Sequence, residues 1–464
     1  MVSSTLLNTS IDIWRAGRSK PAGIRLRQET RLVELIRFAR ANSPYYARKY
    51  SHLPKTVTSL QQIPPVTKKE LMAHFNEWVT YPEITLDSVR EFVSQPSLIG
   101  HLYLDRYLVS TTSGSTGEPG IFIQDHHSDS IMKALMAIRG TTKLTWRDIR
   151  KVIAKGGRNA AICSTAGHFT AFSTAERLRL KRPASGKIKT FSIQSPLPAL
   201  VEGLNTYQPA IMGGYATAME VLAEEQKAGR LHVQPVAILL GGEKLYPHVR
   251  STLESVFQAP VLDLYGGTEA TALTFECEEG HLHVNTDWVI FEPIDEFYQP
   301  IPPGTQSHSV LITNLANKVQ PLIRYELTDR VTLSPEPCAC GRPFPVVQVE
   351  GRTNDILKFS AANGELVSIL PLGLKGVIEE IAAVRRFQLI QTAADRLAVR
   401  LEVQEGIPED RVWEAVSRAL SEYFTARGIT AISIVKSGEL PKRHPKSGKF
   451  QHILIDMERR QKAD

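Results

Sequence analysis

Between Ser110 and Gly120 the chain reads Ser-Thr-Thr-Ser-Gly-Ser-Thr-Gly-Glu-Pro-Gly, a run of hydroxyl and glycine residues lying between two strand-like segments. Glycines admit positive φ and close backbone approach, and hydroxyls with successive N–H groups offer donors to phosphate oxygens, so such a loop can cradle a polyphosphate. The same composition also describes an exposed turn, and the Gly-Lys-Ser/Thr ending of a Walker loop is missing. A second group is Cys277, Cys338 and Cys340 with His283 or His281. The Cys-x-Cys pair and the Cys-Glu-Glu-Gly-His-Leu-His strip supply the two sides of a tetrahedral zinc site, or else a set of buried free thiols. Cys163 stands apart, with no motif to supply a base, and reads as a core thiol. Towards the carboxyl terminus, Lys442, Arg443, His444, Lys446 and Lys449 form a basic stretch that alone would be a solvated patch.

The elements that must position these residues are legible in outline. At 464 residues the chain exceeds the size at which a single core stops growing, so more than one structural unit is expected. Residues 25–50 read as a cover helix, with Leu32, Leu35, Ile36, Phe38 and Ala39 at helical spacing until Ser43-Pro44 interrupts it. From about residue 105 to 330, short apolar or β-branched runs (LVSTT, KVIAKG, AILLGG, VLDLYGG, SVLITN) alternate with helical stretches at 128–139 and 216–227, which predicts an α/β sheet architecture. Beyond Gly351 the texture predicts a smaller α+β domain: a helix near 371–382, strands at RFQLIQ and RLAVRLEV, an amphipathic helix at 408–427 stopped by Gly428, and a strand at TAISIVK. The loop-rich segment 333–352 is the expected junction.

The charge of +7 is spread along the chain, so no nucleic-acid partner is expected and a phosphorylated small molecule suits the bias. No apolar run reaches membrane-spanning length and the first twenty residues lack a leader pattern, so the expectation is a cytoplasmic chain with no membrane partner. With four cysteines, a disulfide scaffold is not expected.

Taken together with the segments downstream of it, the loop at 110–120 resembles the Ser/Thr/Gly-rich loop of the adenylate-forming enzymes, which include the acyl-CoA synthetases. Tyr265-Gly266-Gly267-Thr268-Glu269 resembles that family's Tyr-Gly-x-Thr-Glu element, and Pro321 to Arg330 (PLIRYELTDR) its Tyr-x-x-Gly-Asp element. Gly351-Arg352-Thr353-Asn354-Asp355 resembles its Gly-Arg-x-Asp hinge, and Leu440 to Gln451 (LPKRHPKSGKFQ) its closing Pro-Lys-x-x-x-Gly-Lys element. Within the family the phenylacetate-CoA ligase branch is similar at residues 27–46 and at Cys338 to Arg342, and similar Cys and His positions occur there.

The resemblance implies a large amino-terminal AMP-binding domain, residues 1–350, and a small mobile carboxyl-terminal lid, residues 351–464, carrying the catalytic lysine. It implies ATP, magnesium and, as acceptor, CoA. Thr112, Ser113, Gly114, Ser115, Thr116 and Gly117 would hold the β- and γ-phosphates; Thr268 would touch phosphate and Glu269 would help bind magnesium. Gly241, Gly242 and Glu243 form the adenine-side element with Tyr265, Gly266 and Gly267, Tyr265 stacking on the base, while Asp329 would accept from the ribose hydroxyls. Lys449 would neutralise the carboxylate and α-phosphate oxygens, Arg352 would face the nucleotide, and Asn354 with Asp355 would form the hinge. His168, Phe169, Phe172, Gly214 and Tyr215 are expected at the acyl pocket, with an aromatic acid the leading substrate. Three departures from the pattern stand out: Glu118 where many relatives have lysine, Asn354 where an acid is usual, and Thr328 in place of the glycine before Asp329. They keep open a degenerate nucleotide-binding protein beside the ligase. An amine or a carrier-protein thiol stays open as acceptor, and a homodimer stays open as the assembly.

Overall fold

The computed structural model describes residues 2–54, 57, 60–112, 119–165, 167–181, 186–352, 357–360, 366–369, 374, 377–378, 380–443 and 450–455. The chain divides into two compact units, one formed by Met1–Leu327 with Val331–Val349, the other by Thr328–Arg330 with most of the chain from Glu350 onward. The boundary falls inside two strands.

In the first unit, helices Val2–Ala16, Pro21–Asn42 and Pro44–Lys49 open the chain. The break sensed at Ser43-Pro44 is a real junction: Ser43 ends one helix and caps the next, its hydroxyl accepting from Tyr46 N–H, with Pro44 at the first helical position, where its missing N–H costs nothing. A hairpin of β1 (Leu108–Thr111) and β2 (Ile121–Gln124) brackets the hydroxyl-rich loop. The centre is a five-stranded parallel sheet of β3 (Asn159–Cys163), β4 (Ile188–Ser192), β5 (Ile211–Gly214), β6 (Ala237–Gly241) and β7 (Val261–Leu264), in the order β4-β3-β5-β6-β7. Its strands are short apolar runs because helices cover both faces of such a sheet; Ile162, Met212, Ile238 and Val261 are fully buried with Leu222 and Leu253 of the helices Ala216–Lys227 and Pro247–Phe257.

Three further groups of strands complete the unit's sheets. β8 (Thr274–Glu276) and β9 (Leu282–Val284) form a hairpin, β10 (Val289–Ile294), β11 (Ser309–Asn314) and β12 (Tyr325–Glu326) an antiparallel sheet. β13 (Asp329–Leu333) and β14 (Val346–Arg352) extend the hairpin into a sheet of order β13-β14-β9-β8, so the expected junction 333–352 is loop over 334–345 and strand from Val346 onward.

One expected strand is a helix. KVIAKG belongs to the helix Trp146–Ala154, started by a capping box in which the Thr145 hydroxyl accepts from Asp148 N–H and the Asp148 carboxylate accepts from Thr145 N–H. The three-residue apolar stretch Val152-Ile153-Ala154 is too short to distinguish periods, whereas the cap upstream of it carries the information.

The second unit has its own core. β15 (Leu357–Ser360) pairs with β16 (Leu366–Ile369), and a mixed sheet runs in the order β19 (Ser433–Lys436), β18 (Arg396–Val403), β17 (Val384–Ala393), β20 (Ile453–Ile455). The helix Glu409–Thr425 lays Val412, Val416, Leu420 and Phe424 into this core, four residues apart as the amphipathic pattern requires, and Phe424 meets Phe359 edge-on at 5.1 Å. A large α/β unit with a parallel sheet, followed by an α+β region, is the fold class the alternation of elements predicts. Among the described residues no helix is long and apolar enough to cross a membrane.

Candidate active site

In an open parallel sheet, ligands bind beyond the carboxyl ends of the strands, where neighbouring connections leave in opposite directions. Here β4 lies on one side of β3 and β5 on the other, so the switch falls between β3 and β5. The registers align the strand ends: Ile162 pairs with Gly214, Gly214 with Leu240, and Gly241 with Leu264. Ser164–Phe169 follows β3, Tyr215 follows β5, Gly242-Glu243 follows β6, and Tyr265–Glu269 follows β7. Four segments singled out by chemistry therefore leave one edge of one sheet. Gly214 cannot be replaced there without displacement, because a Cβ would stand 2.4 Å from the Ile162 carbonyl oxygen.

Hydrogen bonds tie these segments together. Thr111 N–H donates to the His168 carbonyl at 2.8 Å, Thr112 N–H to the Gly120 carbonyl at 2.9 Å, and Gly120 N–H to the Thr112 hydroxyl at 2.8 Å. Thr112 and Gly120 thus close the neck of the hydroxyl-rich loop. Ser113, Gly114, Ser115, Thr116, Gly117 and Glu118 lie outside the described residues. Thr170, first residue of the helix Thr170–Lys181, donates its hydroxyl to that of Thr268 at 3.2 Å. Asn314 Nδ2 donates to the Glu269 carbonyl at 2.9 Å, and the Tyr325 hydroxyl to Glu269 Oε1 at 3.4 Å. Gly266 is wrapped closely, with room for no Cβ: the Thr271 carbonyl oxygen would lie 2.6 Å from it.

The remaining expected residues have various surroundings. Glu243 Oε2 accepts from the Thr217 backbone N–H at 3.0 Å and from its hydroxyl at 2.9 Å, capping the helix Ala216–Lys227. His168 is buried, its ring 5.3 Å from that of Phe92 and its Nε2 3.4 Å from the Gln95 carbonyl. Burial lowers its pKa, which favours the neutral imidazole. Tyr215 is a buried member of the sheet's core and Phe172 packs on that core half-buried, while Phe169 bridges to Thr111. Cys163 is a buried thiol pushed up to about 12 by its desolvation.

Asp329, buried, begins β13 directly after Thr328, which has φ +61°. That conformation explains the glycine usual at this position in the resembling enzymes: the backbone turns left-handed here whether or not glycine is present. Arg352 ends β14, and Asn354, Asp355 and Lys449 lie outside the described residues.

The helical segment 27–46, read from sequence as part of a cover helix and as similar to the phenylacetate-CoA ligase branch, braces a motif. The Tyr46 hydroxyl and Trp78 Nε1 both donate to the Pro321 carbonyl, at 2.9 and 2.7 Å, where the segment leading to Tyr325 begins. Thr170, Thr217, Asn314 and Tyr325 are contributors that sequence reasoning assigned no role. Only Tyr325, as the tyrosine of its motif, carried a signal.

Cys277, His283, Cys338 and Cys340 come together with their ligand atoms all within 4.8 Å of one another. Cys277 Sγ is 3.9 Å from Cys338 Sγ, and Cys340 Sγ is 3.4 Å from His283 Nε2. These separations are close to the roughly 3.5–3.8 Å edges of a tetrahedron with zinc-to-sulfur and zinc-to-nitrogen bonds of about 2.3 and 2.0 Å. His283 Nδ1 donates to the Phe344 carbonyl at 2.7 Å, which leaves Nε2 as the lone-pair atom facing the sulfurs. Burial also lowers the pKa of His283, so the ring is suited to act as a neutral ligand. His281, the alternative histidine, is exposed and places Nδ1 3.3 Å from Cys338 Sγ. Arg342 pairs with Glu278 at 2.8 Å across the two cysteine-bearing segments.

A mixed α/β unit with its motifs at the switch edge of a parallel sheet defines a nucleotide-binding class of protein, and comparison with known proteins narrows it. The model of the AMP-binding enzyme family matches residues 49–294. The chain belongs to this family, and so to the adenylate-forming enzymes that its motifs resemble. Among solved structures, 2-hydroxyisobutyryl-CoA ligase in the postadenylation state in complex with R3-HIB-AMP superposes with a TM-score of 0.66 at 20% identity, covering 94% of this chain and 90% of that one. The same ligase with 2-HIB-AMP and CoA in its thioesterification state gives 0.56 at 20% identity over 97% and 94% of the two chains. The anthranilate CoA ligase AuaEII in complex with anthranoyl-AMP gives 0.50 at 14% identity over 77% and 67%. Comparison with the curated proteins finds no match.

Proposed function

We propose that this enzyme activates a carboxylic acid with ATP as an acyl-adenylate and passes the acyl group to the thiol of CoA. The observation that carries the reading is the convergence of the loops after β3, β5, β6 and β7 on the switch edge of one parallel sheet, with the hydroxyl-rich loop anchored to the His168 segment. Adenylation brings two anions together, the carboxylate and the α-phosphate, so donors and cations must be in place before charge develops. The loop whose neck Thr112 and Gly120 close would take the departing phosphates, Tyr265 would lie against adenine, and Asp329 would hold the ribose hydroxyls. The Thr268 hydroxyl and the Glu269 carboxylate sit beside the hydroxyls of Thr170 and Tyr325, and oxygen ligands of this kind are what a magnesium ion selects. When bound there, magnesium would offset the charge of the triphosphate. Lys449, from the small domain of residues 351–464, would neutralise the oxygens of the first transition state, and that domain would turn about Asn354 and Asp355 before CoA reacts.

The acid would enter at the switch between β3 and β5, beside His168 and Phe169. A neutral imidazole and aromatic rings suit an aromatic acid, as in the phenylacetate-CoA ligase branch, and the CoA ligases of similar fold support the acceptor. Cys277, His283, Cys338 and Cys340 would hold a zinc ion. Four protein ligands complete a tetrahedron and leave no position for substrate, so the ion's contribution would be cross-linking. The cytoplasm suits both the cosubstrates and the free thiols.

The test is acid-dependent pyrophosphate release from ATP across aryl and short aliphatic acids, with and without CoA. Release with an aryl acid that becomes steady turnover when CoA is added is the expected result. Release that ignores CoA but responds to an amine would replace the acceptor, and ATP binding with no release for any acid would overturn the ligase reading.

A further inference from the structure

β8 is three residues long, and it touches both the nucleotide loop and the thiol–imidazole cluster. β7 ends at Leu264, so the backbone of Tyr265 lies beyond the ladder that holds the parallel sheet. Thr274 takes its place. Its hydroxyl accepts from Tyr265 N–H at 3.0 Å and donates to the Tyr265 carbonyl at 2.9 Å, and its own N–H donates to the same carbonyl at 3.1 Å. Two residues on, Glu276 Oε2 accepts from Asp263 N–H at 2.7 Å, and the Glu276 carboxylate is itself held by Arg250 at 2.8 Å and Lys143 at 3.3 Å. Thr274 and Glu276 are 1% and 2% exposed, so water cannot substitute for either side chain.

The other end of this strand is the cluster. Cys277 follows Glu276 directly, and β8 pairs with β9 so that Phe275 faces His283, their rings stacked at 5.3 Å. β14 pairs with the far side of β9, Val346 opposite His283, and the loop before β14 carries Cys338 and Cys340. The hairpin is therefore fastened at one end by sulfur and imidazole, and its first strand holds β7 at Asp263 and the nucleotide loop at Tyr265.

We propose that Thr274 is a positioning residue for Tyr265 and that β8 transmits the state of the Cys277–His283–Cys338–Cys340 cluster to the nucleotide loop. This rests on the adenylation reading for the role of Tyr265. The coupling itself is a statement about backbone order and can be measured without turnover.

Three full-length proteins decide it: the wild type, Thr274→Val and Thr274→Ser. Valine keeps the shape and removes both hydroxyl bonds, so the KM for ATP should rise about fivefold to tenfold with kcat changed about twofold or less, and serine should restore the wild-type value. A loss shared equally by kcat and KM, or serine behaving as valine does, would overturn the positioning role. The second readout is amide hydrogen exchange of the segment 262–268. Exchange there should accelerate in Thr274→Val, and also in wild type stripped of metal with a chelator, and should slow again when Zn2+ alone is restored. Acceleration confined to 277–283 on metal removal, or no response of either segment to Zn2+, would overturn the coupling. A wild type with these exchange responses but no pyrophosphate release would leave the coupling standing and reject the adenylation reading instead.

Discussion

Thr328 shows how a missing motif residue can leave the motif's backbone intact. A β-branched residue at φ +61° is strained, since its Cβ crowds the neighbouring carbonyl, by about 1–2 kcal/mol. Replacing it with glycine relieves that strain and adds unfolded-chain entropy of similar size, so Thr328→Gly should leave the thermal midpoint unchanged or raise it slightly. Thr332, in the extended run of β13, is the control, and Thr332→Gly should cost about 1 kcal/mol. Equal losses at both positions in thermal melts would show that Thr328 is not strained. The Cys-x-Cys pair could be named from its residue type, and the structure gathers it with Cys277 and His283, whereas Glu269 and Asp329 could be named from the resemblance of their motifs. Thr274 and Asn314 could not be named, because a buried threonine or asparagine acquires its role only from a partner that the fold brings near, Tyr265 or the Glu269 carbonyl.

Elements were legible where period and length agreed. The strands β6 and β7 and the helix Ala216–Lys227 lie where the apolar runs place them, while Trp146–Ala154 was misread because its apolar stretch has no length of its own. The hairpin of β8 and β9 was invisible as structure, being two strands of three residues each, yet its cysteine and histidine were visible as chemistry. Strands of three residues have few ladder bonds and need fastening from outside, which a zinc ion at the proposed site would supply. Cys340→Ser should therefore lower bound zinc from about one per chain to a small fraction of that, and lower the thermal midpoint by several degrees. Metal analysis of the purified protein with differential scanning fluorimetry checks both. Zinc binding should also weaken as pH falls, because protons compete for the thiolates and for Nε2 of His283. A wild type carrying no metal and gaining no stability from added Zn2+ would return these residues to buried thiols.

For the whole molecule, the division near residue 350 carries the mechanistic claim most open to refutation. The two units have separate cores, and in sequence the Gly-Arg-x-Asp element and the closing Gly-Lys element both lie beyond residue 350, distant from the nucleotide loops. On the proposed function, the domain of residues 351–464 would serve two half-reactions in turn, supplying Lys449 to the first and leaving CoA to react in the second. If so, the lysine matters only where negative charge builds between carboxylate and α-phosphate. Lys449→Ala should lower acid-dependent pyrophosphate release on the order of a hundredfold, while thioester formation from supplied acyl-adenylate and CoA should fall by about threefold or less. Lys446→Ala, its near neighbour in the same basic stretch, should leave both half-reactions within about threefold of wild type, since one more solvated cation adds little. Equal losses of both half-reactions in Lys449→Ala would mean that this lysine holds the nucleotide throughout rather than acting in one transition state, and the small domain would then have no need to turn between the steps.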